Sequence, residues 1–173
     1  MTPKEPAEAK EPKEPTEAKD PKEPTQPKDP KDPNAPNAPK APKAYAGKQI
    51  TITYEVRRCL HAAECVRGLP GVFDSARRPW IQPDGAPAES AAEVIRRCPS
   101  GALQYRLTEG PGEEPDRPTT VVRDPAGRLV VRGDLSVTTA DGEVRRETRA
   151  MLCACGVSAN QPFCDLSGSC HSG

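Results

Sequence analysis

The cysteines constrain this chain more than its apolar residues do. There are seven, in two groups: Cys59, Cys65 and Cys98, then Cys153, Cys155, Cys164 and Cys170. Six aromatic residues and 22 prolines in 173 positions argue against one large apolar core, so something besides burial must hold the fold. An odd number of thiols fits metal binding better than a set of disulfides. The N-terminus lacks the apolar stretch of a secretory signal, and no run approaches the roughly 20 residues needed to span a bilayer. A reducing, cytoplasmic setting is therefore expected. Lys plus Arg and Asp plus Glu are balanced at 25 each, which gives no electrostatic case for nucleic acid or an anionic membrane as partner.

The first part of the chain is a separate object. From Pro3 to Pro42 every third residue is proline, except Ala9 and Ala18, and the position before it is Glu, Asp, Gln or Ala after Thr2. The third position is mostly lysine. Polyproline II has three residues per turn, so proline, acid and lysine would each keep one edge of a rod. With almost no apolar side chains such a segment cannot offset its ordering entropy, and residues 1–47 are expected to be a disordered, solvated tail, about 130 Å long for its first 43 residues at about 3.1 Å per residue. It reads as a spacer or solubility tail, or as a ligand for a proline-binding module.

Residues 49–56 alternate with period two and are rich in β-branched side chains, which predicts a strand leading directly to Cys59. A helix is predicted over 88–97, with Ala91, Ala92, Val94 and Ile95 on its buried side. A return strand over 103–107 would complete a small β-α-β style unit. Bacterial ferredoxins hold a cubane with Cys-x2-Cys-x2-Cys and a distant Cys-Pro. Here Cys59 and Cys65 are the outer cysteines, Ala62 stands at the middle position, and Cys98-Pro99 supplies the distant one. Together with Gly71-Val-Phe-Asp74, Arg78-Pro-Trp-Ile81 and Cys98-Pro-Ser-Gly-Ala-Leu103, this stretch resembles the divergent mono-cluster ferredoxin family, and more loosely the [3Fe-4S] ferredoxins of bacterial cytochromes P450. The resemblance implies one [3Fe-4S] or [4Fe-4S] cluster on Cys59, Cys65 and Cys98, and low-potential electron transfer. His61 is a candidate for a non-cysteine ligand, one residue from the middle position.

The second group is closer to a signature. Strand-like segments over 128–135 and 144–152, with a turn at Ala140-Asp141-Gly142, precede Cys153-Ala-Cys155-Gly-Val-Ser158-Ala-Asn-Gln-Pro162-Phe-Cys164-Asp165. Two cysteines one residue apart can grip a single iron from a tight loop, whereas structural zinc sites favour pairs two to four residues apart. The run is similar to the CDGSH iron-sulfur domain of mitoNEET type in the positions of Cys153, Cys155, Ser158, Pro162, Cys164 and Asp165. That resemblance implies a [2Fe-2S] cluster on three cysteines and one histidine. An ungapped alignment puts Gly168 where the histidine belongs, so His171 is the expected fourth ligand if residues 168–170 are an insertion, with Cys170 as the alternative.

The expected fold class is α+β: a ferredoxin-like cluster domain over 48–107, a linker over 108–118, and a mostly β CDGSH-type domain over 119–173. No Ser-His-Asp set, phosphate loop or paired catalytic acids are visible, and there are two histidines in all, so an enzyme is not expected. Electron transfer with a reductase or oxidoreductase as redox partner is the leading expectation. Cluster storage, transfer or redox sensing is the alternative, and a structural zinc protein the third. A homodimer through the second domain is left open, since mitoNEET-type proteins commonly pair.

Overall fold

The computed structural model describes residues 41–168. The proline repeat before Ala41, and the end of the chain with Cys170 and His171, lie outside the described residues. The architecture is α+β, with two three-stranded antiparallel sheets and two helices among the described residues.

The first sheet has the order β1 (Lys43–Ala46), β2 (Ile50–Tyr54), β3 (Leu103–Leu107). Alternation along β2 turns Ile50 and Ile52 inward, where both are at most 1% exposed. They meet Leu103 and Tyr105 of β3 and one face of helix α2 (Ala88–Arg96). That helix forms because Ala88, Ala91, Ala92 and Ile95 recur at helical spacing and all are buried. It begins after Pro87 and ends just before Cys98-Pro99, where proline cannot continue the ladder. Burying Ile95 and its neighbours on β2 stabilises the module by about 1.5–3 kcal/mol per large side chain.

Three expectations for this half are corrected. The fold starts at Lys43 and not at the end of a tail reaching residue 47: β1 pairs with β2, Tyr45 opposite Ile52, and Tyr45 is buried in the core. The strand expected over 49–56 stops at Tyr54, and a 3-10 turn, Val56–Arg58, intervenes before Cys59. The unit is not β-α-β in the parallel sense, because β2 and β3 are antiparallel, Ile50 opposite Leu107 and Tyr54 opposite Leu103.

The second sheet has the order β4 (Thr120–Arg123), β5 (Leu129–Thr138), β6 (Val144–Leu152). β4 was not expected. It is exposed along its whole length and is held by pairing with β5, Val121 opposite Val131. The turn at Ala140-Asp141-Gly142 is as expected: Thr139 N donates to Glu143 O at 2.8 Å, and Gly142 takes φ +85°. The core here is small, made of Val131, Leu135, Ala150 and Phe163.

The two halves share a buried polar joint. Arg58, 1% exposed, donates from Nη1 to Glu147 Oε1 at 2.7 Å and from Nη2 to Ser100 O at 2.8 Å. Arg149 on β6 reaches back into the first half, donating from Nε to Cys98 O at 2.8 Å and from Nη2 to Leu103 O at 2.6 Å. Residues 108–118, expected as a linker, are tied down at two points, Glu113 to Arg149 and Asp116 to Arg132. All the described residues accordingly fall in one compact unit. The cause is electrostatic: a buried guanidinium must find acceptors, and those for Arg58 and Arg149 come from both halves.

Candidate metal centres

Cys59 follows the 3-10 turn directly, its N–H donating to Val56 O at 3.1 Å. The chain then folds back sharply. His61 and Ala63 take positive φ, 52° and 60°, and Ala63 opens the short helix α1 (Glu64–Gly68), which carries Cys65. Cys98 comes from the end of α2, its N–H on Ile95 O at 2.9 Å and its sulfur 3.6 Å from Ser100 Oγ. Three separate elements thus deliver Cys59, Cys65 and Cys98 to one pocket, whose walls include Tyr54, Leu60 and Trp80. Ala62 and His61 also line it, both exposed to solvent.

Burial pushes the Cys65 thiol upward, and the neighbouring Cys98 and Cys59 add to the rise. Tyr54 is likewise raised, by burial first and then by its hydrogen bond to Cys59, while its ring stands edge-on to Trp80 at 4.9 Å. Clustered, partly buried thiols ionise at a cost unless a cation offsets the charge, which is the donor chemistry of a metal site. Among the described residues no three His, Cys, Asp or Glu side chains converge on a single-ion position. A cluster does not ask for that, because each cysteine binds a different corner and the thiols stand apart.

The second group is held by a loop closed on itself. Cys153 N donates to Pro162 O and Cys164 N to Met151 O, each at 2.9 Å, so the end of β6 pairs with the segment containing Phe163. Ser158 Oγ donates to Phe163 O at 2.6 Å and accepts from Asn160 N at 3.0 Å. Asp165 accepts from Ala159 N at 2.9 Å and from Ser167 N at 3.0 Å. Burial alone would raise the Asp165 pKa, but the hydrogen bonds from Ser167, Ala159 and Ser158 prevail and hold it below the usual carboxylate range. Ser158 and Asp165 therefore brace the loop. Within it Cys153 and Cys155 bring their sulfurs to 3.6 Å, and Cys164 is buried beside Met151.

Gly168, the ungapped histidine position, lies against this site. A Cβ added there would meet Cys155 Sγ at 2.4 Å, so the described backbone has no room for a side chain. The expected fourth ligand, His171, and its alternative, Cys170, both lie outside the described residues.

The sequence missed the residues that join the sites. Leu60 lines the first pocket and also packs against Met151 and Cys164 with Cys153 and Cys155. Arg58 lies over the Phe163 ring at 4.1 Å, one residue from Cys59 on one side and from Cys164 on the other. Their only local signal was an apolar residue inside the Cys59 to Cys65 loop and a basic pair before it.

Comparison with known proteins agrees with this geometry. The divergent 4Fe-4S mono-cluster family model matches residues 45–108, and the model for the iron-binding zinc finger of CDGSH type matches residues 126–167. The uncharacterized protein YjdI of Escherichia coli (strain K12) is 42% identical over 62 residues, covering 36% of this chain and 82% of its own length, and YjdI of a second Escherichia coli strain gives the same values. No solved structure matches. On these grounds the chain belongs to the divergent 4Fe-4S mono-cluster family, to which it adds a CDGSH-type iron-binding domain in the order the two cysteine groups imply.

Proposed function

We propose that the protein is a one-electron carrier with two iron-sulfur centres, working between redox partner proteins of the reductase or oxidoreductase class, and not an enzyme in its own right. Cys59, Cys65 and Cys98 would hold a [4Fe-4S] cluster or, with Ala62 in place of a fourth thiolate, a [3Fe-4S] cluster. Cys153, Cys155 and Cys164 would hold a [2Fe-2S] cluster, completed by His171 or alternatively Cys170. The observation that carries the reading is the gathering of Cys59, Cys65 and Cys98 around one pocket from three separate elements. Bound there, the cluster would supply reversible one-electron chemistry. The chain's part is to exclude water with Tyr54, Leu60 and Trp80 and to fix the thiols. Among the described residues no helix is long and apolar enough to cross a membrane, and we take the cytoplasm as the working compartment.

A second reading, cluster storage or transfer, is favoured by Gly168, since a site without an in-register histidine would release its cluster more readily. Anaerobic purification, iron counting and a potentiometric titration separate the readings. Electron transfer expects about five or six irons per chain and two reversible one-electron steps. Loss of the second cluster to a chelator, with little reversible reduction, would favour storage. A colourless protein containing zinc would overturn both.

A further inference from the structure

The two cysteine sets are next-door neighbours. Leu60 follows Cys59 in the chain, forms part of the wall around Cys59, Cys65 and Cys98, and packs on Met151 and Cys164 in the company of Cys153 and Cys155. Packed apolar side chains touch within about 4.5 Å, so the width of one leucine separates the surroundings of one set from the other. The wall is fixed as well as thin. On one side of Leu60, Arg58 lies over Phe163 and binds Glu147, and from β6 Arg149 holds the carbonyl of Cys98. Gly101 at φ +67° lets the backbone after Cys98 approach that joint, where an added Cβ would meet Arg149 O at 2.4 Å. A carrier that only shuttled electrons between external partners at independent centres would not need the loop after Cys59 packed on the cluster of Met151 and Cys164.

We propose that Leu60 and the Arg58 joint make the two centres one unit, in which an electron accepted from a low-potential protein donor at one cysteine set passes to the other within the same molecule. The step forms and breaks no bond: one centre is oxidised by one electron and the other reduced by one, the external donor having supplied it. This inference rests on the electron-transfer reading and adds a route to it.

The test uses the loaded full chain. Under anaerobic titration, the EPR spectrum at potentials where both centres are paramagnetic should be broadened and fast-relaxing compared with the sum of the signals recorded where only one is paramagnetic. After a flash of photoreductant, redistribution of the electron between the centres should proceed at a rate unchanged over a tenfold dilution of protein. The Cys153→Ser variant, having lost the second centre, should show the first signal narrowed; should it fail to assemble, the two wild-type measurements still decide. Additive spectra together with a redistribution rate proportional to protein concentration would overturn the proposal and leave the carrier function standing. If neither centre cycles reversibly, both fall.

Discussion

Arg58 sits at 1% exposure beside the first candidate ligand, and Glu147, the more distant Glu55, the Ser100 and Arg149 carbonyls and the Phe163 ring make a charge tolerable there. Removing one partner of such a pair leaves the other stranded, which typically costs about 3–5 kcal/mol, whereas replacing both with apolar groups is often neutral. Glu147→Ala is therefore expected to lower stability by about that amount in urea titration, and the double variant Arg58→Met with Glu147→Leu to recover most of it. A single-variant loss below about 1 kcal/mol would mean that the pair is dispensable. Gly101→Ala is expected to cost on the order of 1–3 kcal/mol, because it strains a left-handed backbone and drives a methyl into Arg149 O. None of this was legible in the sequence: arginine is usually exposed, and Glu147 lies 89 positions from Arg58. The cysteines stood out in the sequence through the family resemblance, and the structure brings Cys59, Cys65 and Cys98 to one pocket although Cys98 comes from a separate element.

Helix α2 and strands β3, β5 and β6 could be read from the sequence, since each carries enough buried positions for its period to stand out. β1 could not. Its Tyr45 is a lone large residue among alanines and lysine, and its strand character comes from the free edge of β2. Strand β4, exposed throughout, and α1, five residues long, likewise owe their form to neighbours and not to propensity. Truncation through Ala46 should therefore destabilise the first module while truncation before Ala41 serves as the reference, and Tyr45→Ala alone should cost about 3 kcal/mol in chemical denaturation. Equal stability of the two truncated proteins would show that β1 contributes nothing to the core.

Because Arg58 and Arg149 draw their acceptors from both halves, the molecule should unfold as one. Fluorescence of Trp80, the sole tryptophan, reports on the first half, and far-ultraviolet circular dichroism is weighted by the longer strands of the second. The two transitions in urea are expected to coincide, and two separated midpoints would show that the joint does not couple the halves. Fragment 41–107 made alone should unfold at a lower urea concentration than the intact protein, since Arg58 and the Cys98 and Leu103 carbonyls would lose Glu147 and Arg149. The domain boundaries predicted from the sequence separated what the joint unites, because composition marks where a chain is rich in Gly and Pro and not where a distant side chain will return. The same joint has a consequence in time. Arg58 leaves the ribosome 89 residues ahead of Glu147, and at about 5–20 residues per second that is a wait of roughly 4–18 s. Throughout that interval Cys59, Cys65 and Cys98, or those of them already made, stand on a frame in which Arg58 has not yet met Glu147.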